Sequence, residues 1–424
     1  MMQSISAIAL MVRRGLRHHL FASAVTIAAA ALASGLVMSV FSIQRQAREA
    51  FAGGPVGFDA VLGARGSELQ LVLNTVFHLE TSPGNIPWTL YREIADDPRV
   101  ARAIPYATGD NFYGFRIVGT TAELFEPSSP GESSSRRVYS LAEGNLFEPR
   151  YAEAVLGSSV ARETGLRIGD IFHPYHGVVF DPTAEHAEEY TVVGILEPTN
   201  SPSDRVIWIP IEGVFRMEGH VLRGTGEIYE PRSGESIPDE HKEVSAVMLK
   251  LKNPRFGFDL AMTVNRQGNA ATLAYPIGRV MAELFEKLGW VHRVFALVSY
   301  LVVAVAAGGI LASLYNTINE RRRELAILRS LGARRSLVFT AIVSEAAVLG
   351  GLGAVLGFGV YGVALGIAAK VVRTQTGVVL EVFAFHPSFV WVPIGMVALG
   401  ALAGAIPALK AYSTDVATHL VPHS

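Results

Sequence analysis

The chain has 424 residues, 50% of them hydrophobic and 17% charged, with 36 basic against 38 acidic side chains. That charged share lies below the ~25% of ordinary soluble domains, so apolar residues are concentrated somewhere, and a net charge of −2 offers no overall field for nucleic acid or an acidic substrate. The lack of cysteine excludes disulfides, thiolate metal sites and a cysteine nucleophile.

Residues 1–19 carry Arg13, Arg14, Arg17, His18 and His19 and read as a basic cytoplasmic N-terminus. Residues 20–43 are the first of four apolar runs long enough to cross ~30 Å of hydrocarbon, which takes about 20 helical residues. This run continues through Leu36, Val37, Val40, Phe41 and Ile43, past the roughly 7–15 residues of a cleaved signal's apolar stretch, and so predicts a retained span. Residues 44–292 read as a folded α+β domain. Segments 58–62, 114–119, 190–196, 206–211 and 246–251 have the β-branched and aromatic content of strands. Segments 88–95 and 152–164 read as helices, and the Pro- and Ser-rich pieces 127–135 and 231–238 as surface loops.

The remaining spans are predicted at 294–315, 337–369 and 389–409, the third long enough to tilt or protrude. Residues 319–335, NERRRELAILRSLGARR, separate the second from the third. Arg321, Arg322, Arg323, Arg329, Arg334 and Arg335 outnumber Glu320 and Glu324 there, and cations beside a span resist translocation, so this loop is expected inside. The 44–292 domain and the 370–388 link are then outside, and the 410–424 tail inside. Lys370 and Arg373 in the link run against that pattern, but weakly. Leu325, Leu328 and Leu331 recur at three-residue steps with Gly332 as a stop, which predicts a short amphipathic helix at the inner surface.

Residues 321–346, RRRELAILRSLGARRSLVFTAIVSEA, resemble the signature of the MacB/FtsX-type (type VII) ABC transporter permease family. Across 143–170, EGNLF and AVLGSSVARETGLRIGD resemble that family's MacB-like periplasmic core motif. YTVVGILEPTNSPSDRVIWIPI (190–211) resembles its following strand–turn–strand, and IPALKAYSTDVATHL (406–420) its closing segment, with Val416 where proline is common. Residues 63–87 match no lipoprotein-release or macrolide-export pattern and point to a separate subgroup with unassigned cargo.

The resemblance implies a membrane protein with four transmembrane α-helices, one N-terminal and three C-terminal, around a large α+β extracytoplasmic domain. It implies a multi-pass inner-membrane permease subunit that is not itself an enzyme. A cytoplasmic ABC ATPase dimer, holding ATP and Mg, would dock on the coupling helix through Arg322, Arg323, Glu324, Leu325, Leu328, Arg329, Leu331 and Gly332. A second permease subunit, identical or paralogous, is expected, together with membrane lipids and a periplasmic partner. The work performed would be export, lipoprotein release or mechanotransmission. Consistent with a separate ATPase, the chain has no GxxxxGK[ST] loop: the glycines at 350, 351, 353 and 357 lack the following lysine. No GxSxG, HExxH or paired-carboxylate pattern stands out either.

Several residues admit two readings. The arginine cluster could serve docking, or only topology and anionic headgroups. Gly353 and Gly357, and Gly400, Gly404 and Ala408, have the spacing of close helix packing, within the chain or across a dimer. Glu345 is an acid inside the third span, a functional candidate unless it sits near the interface beside Ser344 or an arginine. His173, His176 and His186 lie among carboxylates and could bind zinc, though their spacing fits no established zinc pattern and a solvated loop is the plainer reading. The alternative to a permease is a transmembrane sensor or scaffold. Its outer domain would bind a ligand, a metal among the candidates, and its basic loop would recruit a cytoplasmic effector.

Overall fold

A computed structural model describes residues 2–52, 57–79, 81–126, 139–149, 152–176, 188–217, 237–330 and 332–413. The chain divides into two compact units. One comprises Met1–Ala47, Leu288–Val371 and Leu380–Ser424; the other comprises Arg48–Lys287 and Val372–Val379.

In chain order, α1 (Met2–His18) and α2 (Leu20–Ala52) precede β1 (Ala60–Ala64) and α3 (Glu68–Thr75). Next come β2 (Ile86–Pro87), α4 (Trp88–Ala95), β3 (Val100–Phe112), β4 (Phe115–Thr120) and β5 (Leu141–Gly144). Then follow β6 (Glu153–Leu156), α5 (Ser158–Thr164), β7 (Ile171–Phe172), β8 (Tyr175–His176), β9 (Tyr190–Leu196), β10 (Val206–Pro210) and α6 (Ile211–Arg216). The rest of the α+β unit is β11 (Glu243–Val244), β12 (Ala246–Leu251), α7 (Arg255–Val264), β13 (Ala271–Ala274) and α8 (Ile277–Lys287). The chain closes with α9 (Gly289–Glu320), α10 (Arg322–Ser330), α11 (Arg335–Thr376) and α12 (Ser388–Ser413).

The α+β unit is built on a mixed sheet in the order β13-β1-β12-β3-β4-β10-β6-β9-β5. Pairs β4–β10 and β6–β9 are parallel and the other neighbours on this path antiparallel. Side chains alternate between faces along each strand, and both faces are apolar. Ile207 and Ile209 of β10 join a core with Trp88, Tyr91, Val160 and Leu260 from the helices on one side. Val206 and Trp208 join Leu71, Val72, Ile277 and Val280 on the other. Burial on both faces explains why β10 and β12 read as continuous apolar runs rather than alternating ones.

The segment 152–164 is not one helix. Its first half is β6, inserted between β10 and β9, and Gly157 marks the change. A Cβ on Gly157 would sit 2.5 Å from the Asp204 carbonyl oxygen, so the chain passes the neighbouring loop at a distance only glycine permits before α5 begins.

Four helices are long and apolar enough to cross a membrane: Leu20–Glu49, Gly289–Glu320, Arg335–Thr376 and Ser388–Lys410. Small residues bring them together. Gly353 faces Ala30 of α2, and Gly357 faces Ser34 and the Ala31 carbonyl. Gly400 lies against the Ala346 carbonyl and Gly404 against the Ala346 methyl, both on α11. Ala408 is fully buried and packs with Val338 and Ile342. The two small-residue faces are thus used within the chain, where a larger side chain would strike backbone.

At 42 residues, α11 is about 63 Å long at 1.5 Å per residue, roughly twice the hydrocarbon thickness. Its body belongs to the helical unit, while Val372–Val379 belong to the α+β unit.

Candidate coupling site

The helix α10 hangs between two breaks. Arg321 leaves helical geometry at ψ 11° after α9 and donates its N–H to the Thr317 carbonyl. At the other end Gly332 adopts φ +97°. Its N–H reaches the Arg329 carbonyl (3.1 Å) and that of Ala333 the Leu328 carbonyl (3.1 Å). This is the double hydrogen bond of a left-handed helix stop, for which glycine is the favoured residue.

Arg323 and Glu324 are exposed, Arg329 is half-buried, and Ala326 is buried. Leu328 lines a small cleft with Met11, Thr317, Arg321, Val338 and Glu345. It therefore faces its own bundle and not an outward leucine stripe. The reason is geometric: a strict three-residue step drifts about 60° per step on a 3.6-residue helix. A four-then-three spacing holds one face, and Arg323, Ile327 (44% exposed) and Ser330 occupy it on the exposed side. The side chains of Arg322 and Leu325, and all of Leu331, lie outside the described residues.

Glu345 is buried at 9% exposure. A methyl on Gly15 of α1 would fall 2.5 Å from Glu345 Oε1 and 3.0 Å from Arg321 Nη1, so α1, α11 and the turn between α9 and α10 come together at one point. Arg321 Nε also lies 3.5 Å from Glu324 Oε2, an exposed pair worth at most about 1 kcal/mol. Glu345 and Arg321 also line one small cleft, so the guanidinium is near the buried carboxylate without a direct ion pair to it. His19 and Glu320 add a 3.4 Å pair. Arg321 therefore faces one carboxylate on α10 and another on α11, a joint that spacing along the chain did not reveal. A glycine set between Arg14 and Leu16 in an amphipathic helix was the available hint.

The far end of α11 has a second close contact. Gly377 adopts φ +76°, and a Cβ there would lie 3.1 Å from both the Ser201 carbonyl oxygen and Arg205 Cγ. Arg205 pairs with Glu163 at 3.0 Å and lies 4.5 Å over the Phe115 ring. The loop is tied by Asp204, whose Oδ1 accepts from Thr199 N (2.8 Å) and Oγ1 (2.7 Å) and whose Oδ2 accepts from Asn200 N (3.0 Å). Burial pushes the Asp204 carboxyl upward from its ordinary pKa, and the Thr199 and Asn200 hydrogen bonds restrain that rise. Beside this loop, on the inner face of β10, Trp208 packs edge-on to His78, centroids 5.8 Å apart. Burial, with a smaller push from Arg116, lowers the His78 pKa to about 3.

The two described histidine candidates meet different partners. His173 Nε2 lies 3.9 Å from Glu189 Oε1, His176 pairs through its backbone in β8 with Asp110, and His186 lies outside the described residues. Among the described residues no group of three or more His, Asp or Glu side chains is placed to hold a metal.

Four spans, a large α+β unit between the first and second, and a short helix between the second and third define a multi-span permease-type membrane subunit. Residues 23–254 match the MacB-like periplasmic core domain and residues 296–416 the FtsX-like permease C-terminal region. The chain belongs to the MacB/FtsX-type ABC transporter permease family. It is 21% identical over 301 residues to the lipoprotein-releasing system transmembrane protein LolE of Haemophilus influenzae, covering 67% of each chain. It is 22% identical over 271 residues to LolC of Xylella fastidiosa, covering 62% of this chain and 60% of that one. The periplasmic region of MacB from Actinobacillus actinomycetemcomitans superposes with TM-score 0.32 at 10% identity, over 55% of this chain and 94% of that one. The extracellular domain of the noncanonic ABC-type transporter YknZ from Gram-positive bacteria does so with TM-score 0.30 at 11% identity, over 51% and 99%.

Proposed function

We propose that this chain is the passive transmembrane subunit of an ABC complex in the bacterial inner membrane. Both termini are cytoplasmic and the α+β unit is outside, the arrangement favoured by the arginines around α10. A separate cytoplasmic ATPase dimer supplies ATP and Mg chemistry and grips α10 by its Arg323–Ile327–Ser330 face. Two permease subunits, identical or paralogous, complete the complex, and a periplasmic partner takes up what is released. Movement of α10 is felt at Arg321, which exchanges its weight between Glu324 on α10 and Glu345 on α11. The helix α11 carries the displacement to the loop around Ser201 and Arg205. Among export, lipoprotein release and mechanical signalling, the lipoprotein-releasing relatives favour release of a lipid-anchored cargo.

The single observation that carries this reading is the meeting of Gly15, Arg321 and Glu345 at the start of a short helix with an exposed outer face. The test is affinity purification of the full chain in mild detergent from its own host. A P-loop ATPase should co-purify with the wild type and fall at least about tenfold with Ile327→Asp, as burying an unpaired carboxylate in an interface costs more than about 1.4 kcal/mol. Equal capture by both forms, or no ATPase with the wild type, would reject it.

A further inference from the structure

The link between α11 and α12 is short but firmly held. Glu381 N–H donates to Gln46 Oε1 (2.7 Å) while Gln46 Nε2 donates back to the Glu381 carbonyl (3.1 Å) and to Ser42 Oγ (3.1 Å). Tyr361 Oη donates to the Val382 carbonyl (3.0 Å) and lies 3.3 Å from Ser42 Oγ. At the helix entry His386 Nδ1 accepts the Ser388 N–H (3.0 Å). Two spans thus hold the backbone just before Phe383, and the local His386–Ser388 bond closes it just after Phe385. Those two rings are nonetheless 97% and 71% exposed. A loop tied this closely, yet displaying two large apolar side chains, is built to present them.

Depth along the bundle says to what. Gly15, Arg321 and Glu345 mark one end. Tyr361 lies 16 residues along α11 from Glu345, about 24 Å at 1.5 Å per residue and so most of the way across ~30 Å of hydrocarbon, and it meets Ser42 of α2 there; these are the residues that clamp the loop. Phe389 at the start of α12 packs on Tyr361 (4.9 Å) and is also approached by Phe385 (6.2 Å). From there the outward apolar surface runs on through Val390, Ile394 and Val397 of the span. The two phenylalanines extend the lipid-facing surface at the level where aromatic side chains gather at a bilayer boundary.

We infer that Phe383 and Phe385 form a fixed aromatic prong inserted among the lipids of the leaflet opposite the Arg321 joint. Lipid is the favoured occupant because the prong continues a surface that lipid must cover. Only the naming of that leaflet as the outer one rests on the orientation proposed above. Rooted in two spans, the prong would locally disorder acyl chains beside the bundle, which suits a subunit that handles lipid-anchored cargo.

The cysteine-free sequence permits a direct test. Phe383→Cys and Phe385→Cys, singly spin-labelled in the full chain in phosphatidylethanolamine–phosphatidylglycerol nanodiscs, are compared for collision with oxygen and with a water-soluble nickel chelate. Ile394→Cys (64% exposed, on α12) and Tyr113→Cys (66% exposed, in the α+β unit) are the lipid and water references. The expected oxygen-to-nickel ratios resemble that of Ile394 and place both labels about 5–10 Å below the phosphates. Ratios equal to that of Tyr113 overturn the inference, and so does an immobile label shielded from both reagents, which would mean a protein partner or second copy covers the loop. Gln46→Ala, which frees the loop without touching either ring, should broaden the depth distribution; an unchanged distribution would refute the clamp. No ATPase enters the measurement, so loss of the docking reading leaves this result standing, and the reverse.

Discussion

The two ends of α11 each meet a glycine and an arginine, yet the contacts differ in kind. At the Glu345 end, what crowds Gly15 is the tip of a carboxylate and the tip of a guanidinium, beside a small cleft. At the Gly377 end, what crowds the glycine is a backbone carbonyl and the stem of Arg205, and the glycine holds φ +76°. Side-chain tips can re-pair by rotation, whereas a carbonyl in a tied loop cannot retreat without breaking its hydrogen bonds. One end is a joint and the other a seat, the asymmetry that the proposed transmission along α11 would use.

The sharpest way to break the seat is Asp204→Ala. Three donors from Thr199 and Asn200 lose their acceptor, and the expected loss is about 3 kcal/mol or more, read as a lower Tm of the α+β unit with the bundle's helicity retained. Acid should loosen the same side. His78 is neutral in the fold because its pKa falls from 6.5 to about 3, so its stabilising contribution is complete above pH 6.5 and is lost as pH drops toward 3. The loss reaches about 2 kcal/mol by pH 5. His78→Asn, a residue that tolerates the +53° φ found here, should flatten the Tm-versus-pH profile across that window. Gly377→Ala is milder: a left-handed backbone with a methyl costs about 1–2 kcal/mol, to be measured by chemical denaturation of the full chain in detergent.

How much of this could be read from sequence differs by element. The four spans were legible because bilayer crossing demands composition alone, summed over about 20 residues. Strands β9, β10 and β12 were legible from their β-branched runs. The central strand β3 was not: Pro105, Gly109 and Asp110 argue against a strand, and its pairing with β12 on one side and β4 on the other overrides them. Leu328 was legible as apolar but not in direction, because a nine-residue helix leaves its facing to the bundle it packs on. The joint was legible only in part: Glu345 could be expected beside Ser344 or an arginine, but which arginine, and the part of Gly15, could not. Gly15, Arg321 and Glu345 are far apart in the chain, and glycine in a helix looks like a weakness until the atoms that need its empty space are known.

Gly15→Ala sets joint against seat most finely. Alanine is favoured over glycine within a helix by about 1 kcal/mol. Against that gain, the new methyl must displace Glu345 Oε1 and Arg321 Nη1 from 2.5 and 3.0 Å, and because both are side-chain tips beside a cleft the displacement is cheap. Net stability should therefore change by less than about 1 kcal/mol, smaller than for Gly377→Ala although the close contact is tighter. The pairing of Arg321 is nevertheless altered, so on the proposed mechanism the variant, reconstituted with its ATPase, should keep its Tm and lose coupling. The readout is cargo released per ATP hydrolysed, compared with the wild type. A Tm loss matching that of Gly377→Ala would mean the Glu345 end is as rigid as the seat, and α11 would then have no end free to move.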